Sequence, residues 1–340
     1  MISTGTGFVA RLSKALDGSR SLGSCPRNPV SSLGVLPAVL LVAVSLLCAN
    51  ARAQGGGHWT TGAAMPSARS EVVAAEVGGK IYVVGGYFGE TALEIYDPAA
   101  DQWSRGAAFP HALHHTAAVG FEGRLYVVGG YLRDGTPTAE FHEYDPAGNR
   151  WRALAALPNS RGSPAAAILD GQLHVVGGVG AGGRNTPVHE AYDFATGQWT
   201  TLAPVPTPRD HFALAAIGGR LYAVGGRVDG GYARNLAVNE AYDPASDRWE
   251  PRQKMPTIRS GIAAAVLDGR IFVFGGEAPS GTFNQVESYD PGSDRWQSHA
   301  AMPTARHGLG AAAVGGRIYV IAGGPRPGGT ASAANEVFAP

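Results

Sequence analysis

Arg69, Arg161, Arg209, Arg259 and Arg306 each stand three residues after a proline, and each of those prolines stands seven residues after a tryptophan. A guanidinium offers five N–H donors in a rigid planar fork and keeps its charge at neutral pH, which suits it to carboxylates. Five of them brought to one place would receive an acidic ligand. The competing reading is that a residue repeated so regularly holds loops by donating to carbonyls. Two further sets of positions change from repeat to repeat. Tyr87, Tyr131, Val179, Arg227, Glu277 and Gly324 follow a pair of small residues, and Ser70, His114, Gly162, Asp210, Ser260 and His307 follow the arginine position. Such aromatic, cationic and hydroxyl groups around one mouth suit a sugar acid or an acidic peptide turn. A charge-assisted hydrogen bond contributes about 1.5–3 kcal/mol. Two or three of them, less the ordering cost, reach the roughly 8 kcal/mol of micromolar binding. The expected ligand-binding set is therefore Arg69, Tyr87, Tyr131, Arg161, Arg209, Arg227, Arg259, Ser260 and Arg306. If the protein is an enzyme, Glu277, Asp210 and His307 are the groups able to relay a proton.

Other constellations carry less. His111-Ala112-Leu113-His114-His115 has no carboxylate or cysteine at ligand spacing, so it reads as a solvated loop rather than a metal site. His174 takes an aromatic strand position and reads as a packed substitute for tyrosine. The glycine pairs lack the Gly-Lys-Ser/Thr of a phosphate loop, and no G-x-S-x-G or HExxH occurs. Neither a metal nor a cofactor is expected.

The elements that position these residues follow from the repeat. Tryptophan recurs at 59, 103, 151, 199, 249 and 296, and nineteen residues after each following proline comes a small pair, from Gly85-Gly86 to Ala322-Gly323. An aromatic closes each unit at Tyr96, Tyr144, Tyr192, Tyr242, Tyr289 and Phe338. Each unit reads as four antiparallel strands, lettered a to d from the inside outwards. Strand a is small and apolar (VVAAEV, AAAIL), as crowding at an axis demands, and strand b is β-branched and aromatic (IYVVGG, IFVFGG). Six such units predict an all-β, six-bladed β-propeller. The last unit ends in its third strand while Trp59 has no strands before it, so Trp59 is expected to complete the last blade beside Phe338. Alternation then puts the b–c and d–a loops on one face. The interval from small pair to aromatic runs 11, 15, 15, 17, 14 and 16 residues while the others stay constant, which confines insertions to the b–c loops. Variable loops on a rigid frame carry recognition, or simply drift.

The doubled glycine, the spaced tryptophans and the segments Glu94-Ile95-Tyr96-Asp97-Pro98, Glu240-Ala241-Tyr242-Asp243-Pro244 and Glu287-Ser288-Tyr289-Asp290-Pro291 resemble the kelch family over residues 59–340. Blade 2 departs with Leu113 at the arginine position and His142 at the glutamate. Blade 3 has Phe194 for the proline, and blade 6 shifts its glycines and loses the aspartate. The resemblance implies that arginines at this position serve propellers that bind acidic ligands, and Met255-Pro256-Thr257-Ile258-Arg259-Ser260-Gly261 looks like such a segment. Galactose-oxidase-type copper enzymes share the architecture but need a cysteine cross-linked to tyrosine. Exported bacterial sialate mutarotases also resemble it, though with longer irregular insertions.

Residues 1–53 differ from the rest: Arg11, Lys14, Arg20 and Arg27 precede the apolar run Leu33 to Ala49 and the small-x-small triplet Ala51-Arg52-Ala53. This is the pattern of a secretory signal peptide cleaved after Ala53, with an uncleaved anchor as the alternative. The segment 54–340 is then one secreted or periplasmic propeller with 22 basic against 26 acidic residues and no cysteine, since Cys25 and Cys48 both lie in the leader. That excludes thiol chemistry and disulfides in the mature chain, and offers no basic patch for nucleic acid. The expected function is a binding module for a protein, an acidic glycan or a peptide on the b–c/d–a face, with no membrane span in the mature chain. The alternative is a mutarotase- or epimerase-like enzyme acting on an acidic sugar. A ubiquitin-adaptor role lacks its partner domain.

Overall fold

The computed structural model describes residues 56–88 and 91–340. The expected signal peptide and its cleavage point lie outside the described residues. Strand b shows why the chain folds into blades. Ile81, Val83, Leu125, Leu173, Leu221, Ile271 and Ile318 are all at most 1% exposed, because β-branched and aromatic side chains on both faces of this strand bury against the blades on either side. Blade 4 is representative: a, Ala213–Ile217; b, Arg220–Val224; c, Asn239–Asp243; d, Arg248–Pro251. Each strand pairs antiparallel with the next, as in Leu221 opposite Tyr242 and Tyr242 opposite Trp249.

Six four-stranded sheets of this kind occur among the described residues, and their a strands neighbour one another in a closed cycle. The cycle closes as expected from the sequence. His58–Thr61 pairs antiparallel with Asn335–Ala339, setting Trp59 opposite Phe338, and supplies strand d of the last blade. Alanines at 74, 213, 263 and 312 let the a strands crowd the axis.

The spaced tryptophans are the clasps between blades. Every indole N–H donates to a carbonyl of the d–a connection of the blade before it: Trp103 to Ala63, Trp151 to Ala107, Trp199 to Ala155, Trp249 to Ala203, Trp296 to Gln253 and Trp59 to Ala300, all at 2.7–2.9 Å. The small pairs stitch the opposite edge. The second residue of each donates its N–H to the carbonyl at the arginine position of the next blade, from Gly86 to Leu113 (2.8 Å) round to Gly323 and Arg69 (2.8 Å). Gly86 sits at φ 93°, and a Cβ there would meet the Ser70 carbonyl oxygen at 2.5 Å, so only glycine fits. His174 packs as expected in strand b of blade 3, buried against His189 with ring nitrogens 2.9 Å apart.

Candidate functional site

The five arginines do not form a receptor facing the channel mouth. All are 0% exposed, and each guanidinium turns outward to a carboxylate in the first two residues of strand c of its own blade. Arg69 meets Glu94 at 2.5 Å; Arg209–Glu240, Arg259–Glu287 and Arg306–Glu336 lie at 2.6 Å, and Arg161 pairs with Glu190. The same guanidiniums donate to backbone carbonyls, including Arg69 to Gly85 at 3.0 Å, Arg161 to Val188 at 2.8 Å and Arg209 to Ala223 at 2.7 Å. The side chain after the proline adds a second donor to the carboxylate, through Ser67, Asn159, Thr207 and Thr257. Burial pulls the Arg161 and Arg259 guanidiniums down to about 10, still charged at neutral pH. With both partners dry and each guanidinium's terminal nitrogens engaged by its carboxylate and by backbone carbonyls, these are frame contacts that no ligand at the surface reaches. Blade 2 replaces both members at once, Leu113 for the arginine and His142 for the glutamate.

The residues of the two variable sets are paired with one another. Each residue after a small pair bridges, antiparallel, to the residue after the arginine position of the same blade: Tyr87 with Ser70, Tyr131 with His114, Val179 with Gly162, Arg227 with Asp210, Glu277 with Ser260, and Gly324 with His307. Two groups emerge. On one side His114 lies between two tyrosines, its ring 4.6 Å from Tyr87 and stacked 5.4 Å from Tyr131, with Phe88 65% exposed beside them. Gly162 leaves room for this side, because a Cβ there would strike the Tyr131 ring at 2.0 Å. On the other side Arg227 donates to Asp210 (3.3 Å) and Glu277 (2.6 Å), and His307 lies 3.5 Å from Glu277. The three expected acid–base residues thus belong to one network. Asp210, Glu277 and His307 are each at most 1% exposed. Ser260 is buried as well and donates to Asn235 on the b–c loop of blade 4. Loops of neighbouring blades are tied over this side, as where the Asn185 and Asp229 side chains accept each other's backbone N–H.

Between these groups lies a ring that sequence reasoning did not single out. The residue two past each arginine position is Glu71, His115, Ser163, His211, Gly261 or Gly308, and all six have positive φ, from 49° to 65°. Backbone N–H groups pass around the axis from one to the next: His115 to Glu71 (3.2 Å), Ser163 to His115 (3.0 Å), Gly261 to His211 (3.0 Å) and Gly308 to Gly261 (2.9 Å). The result is a collar around a cavity of about 80 Å³. A left-handed residue other than glycine costs roughly 1–2 kcal/mol, and such residues gather at functional sites. The signal in the sequence was glycine at this repeat position in blades 5 and 6, with ionisable residues at the same place in blades 1, 2 and 4.

The collar joins the other groups electrostatically. Glu71 lies 3.1 Å from His115 and 3.3 Å from His307. His115 is therefore not the solvated loop histidine expected from spacing; its side chain is 10% exposed against 49% for His111. Its carboxylate partner lies a full blade away in sequence, which local spacing does not reveal. Burial alone would raise the Glu71 carboxyl, but the imidazoles of His115, His307 and His211 outweigh it and hold Glu71 below the usual range. Burial pushes the His115 imidazole down to about 3, against the pull of the Glu71 carboxylate. Burial opposes charge on His307 too, yet Glu71 and Glu277 on either side raise it. Asp210 is held down to about 2 by its hydrogen bond to His211, against the effect of burial.

A separate groove on blade 5, lined by Lys254, Arg270, Asp290 and Arg295, has about 760 Å³ but is open to solvent and carries surface pairs such as Arg270–Asp290 at 3.7 Å. It lacks the convergence of buried groups found at the collar.

Comparison with known proteins agrees with the architecture. The Kelch motif matches residues 68–110, 112–158 and 160–206, and the KLHDC2/KLHL20/DRC7 Kelch-repeats domain matches residues 203–339. No curated protein matches the chain. The solved structure of YjhT is similar with a TM-score of 0.71 at 17% identity, covering 80% of this chain and 95% of that one. At that identity the likeness concerns the fold.

Proposed function

The chain belongs to the kelch-repeat family, and from that premise we propose that it is an exported binding module that takes a carbohydrate on its b–c/d–a face. The observation that carries this reading is the aromatic side of the mouth. Tyr87, His114 and Tyr131 form a continuous stack with exposed Phe88 at its edge. Aromatic faces with polar tips suit the apolar faces and hydroxyls of a sugar ring. Across the mouth Tyr232 lies over Arg227 at 4.9 Å and is 37% exposed, so it adds a second aromatic wall. The ligand rests on these loops and not in the collar, since 80 Å³ is too small for a sugar. The arginine ring lends no preference for anions, because its charges are spent inside the blades. A glycan array of neutral and acidic sugars, probed with the full chain and with Tyr87→Ala, tests the reading. Binding should fall at least about tenfold in the variant while the melting temperature shifts by less than about 4 °C, the equivalent of roughly 1 kcal/mol in a protein of this size. Undiminished binding by Tyr87→Ala would move the site off this face.

A second reading, an enzyme acting on the anomeric centre of an acidic sugar, draws on the Asp210–Arg227–Glu277–His307 network. Proton exchange between such groups and a sugar requires access, and Asp210, Glu277 and His307 are each at most 1% exposed. NMR of sialic acid anomer exchange with and without protein decides this; an unchanged rate ends the enzyme reading.

A further inference from the structure

We propose that the collar is a metal site, with one divalent first-row transition-metal ion held by Glu71, His115 and His211. The three residues come from blades 1, 2 and 4 at the same repeat position, so they approach the axis from three sides. One ligand atom of each lies within 4.8 Å of the others. The Glu71 oxygen and the His115 Nε2 are 3.1 Å apart, close to the roughly 3.3 Å edge of a tetrahedron with 2.0–2.1 Å bonds.

The second observation is an orphan atom. His211 Nδ1 is engaged by the Asp210 carboxylate, which fixes the proton there and leaves Nε2 with its lone pair free. That Nε2 is buried without any hydrogen-bond partner, on a side chain only 8% exposed that lines the cavity. A buried polar atom with no partner calls for an explanation, and an ion is the one the surroundings fit. His115 is oriented in the same way, since its Nδ1 lies 2.6 Å from His114 Nδ1 while Nε2 faces Glu71. Metal-binding histidines are held through the second ring nitrogen in this manner, often by a carboxylate.

The remaining space agrees. A cavity of about 80 Å³ admits an ion with one or two waters, each occupying about 30 Å³. Glycine at 308 keeps it open, because a Cβ there would meet the Glu71 Cδ at 2.6 Å. A rival grouping of Glu71, Glu277 and His307 is less suited. His307 already faces both carboxylates and the Gly324 carbonyl, and Glu277 is committed to Arg227. Two imidazoles and one carboxylate select Zn²⁺, Co²⁺, Ni²⁺ or Fe²⁺ over Ca²⁺ and Mg²⁺, which prefer all-oxygen shells.

The test uses the full chain, stripped with chelator and titrated with Zn²⁺ by calorimetry and with Co²⁺ by visible absorption, with Mg²⁺ and Ca²⁺ in parallel. One Zn²⁺ or Co²⁺ per chain is expected, with no response to Mg²⁺ or Ca²⁺. His211→Ala and Glu71→Gln should each weaken binding at least about 100-fold, and Asp210→Asn about 10- to 100-fold. His111→Ala should leave it unchanged. Circular dichroism melts identify any variant that fails to fold, in which case Glu71→Gln and Asp210→Asn carry the comparison. No Zn²⁺ or Co²⁺ bound by the wild type overturns the proposal. So does binding that survives both His211→Ala and Glu71→Gln, which marks an adventitious ion only.

Discussion

The loop face carries two concentric sets of side chains that behave oppositely. In the outer set, a serine, an asparagine and two threonines after the proline serve the same end, and five arginines meet five glutamates in nearly one geometry, all at 0% residue exposure on the arginine side. In the inner set one backbone conformation recurs six times while the side chains are Glu, His, Ser, His, Gly and Gly. Repetition down to the side chain therefore marks the frame. Repetition of the backbone with free choice of side chain marks the place where the ring can be made asymmetric, which a single small ligand requires.

The largest effect should come from breaking an outer pair on one side. Arg161→Ala leaves Glu190 buried and unpaired, and is expected to cost about 3–5 kcal/mol in unfolding free energy. The double substitution Arg161→Leu with Glu190→His copies the Leu113/His142 arrangement of blade 2 and should cost less than the single change. A double variant no better than the single one would mean that the pair contributes more than mutual neutralisation. Next comes Gly308→Ala, which puts a side chain at φ 57° and against Glu71. A loss of about 1–3 kcal/mol is expected from the left-handed backbone and the displaced carboxylate together. A neutral Gly308→Ala would show that the collar has slack.

The smallest effect concerns pH and lies in the core of blade 3. Burial holds His174 and His189 below the ordinary imidazole value. Their neutral forms are thus favoured in the folded chain, and the unfolded chain takes up protons first as pH falls below about 6.5. Their contribution to stability is complete above that value and declines progressively below it, towards the folded-state pKa values. His174→Tyr, which restores the residue found at this strand position in blades 1, 2, 4 and 6, should flatten the acid side of the stability profile; a profile as steep as wild type would assign the slope to other groups.

Much of the frame was legible in the sequence because it is periodic. The tryptophan, proline and small-pair spacings yielded six blades and the pairing of Trp59 with Phe338. The arginine position was legible too, but its direction was not. That required noticing that Glu94, Glu190, Glu240, Glu287 and Glu336 recur two residues before each closing aromatic, and that blade 2 lacks the arginine and the glutamate together. Tyr87, Tyr131, Arg227, Asp210, Glu277 and His307 stand out in the sequence because they differ between blades. Glu71 and His211 were missed because a carboxylate and two imidazoles separated by whole blades meet only when the ring closes.

The opposition between the two sets is tested most directly by measuring unfolding free energies of Arg259→Ala and His211→Ala side by side, both without added metal. Arg259 should lose about 3–5 kcal/mol because Glu287 is stranded. His211 should stay within about 1 kcal/mol of wild type, since Asp210 keeps Arg227 and Asn185 as partners. Equal losses, or a greater loss at His211, would contradict the division of the face into an outer frame and an inner site.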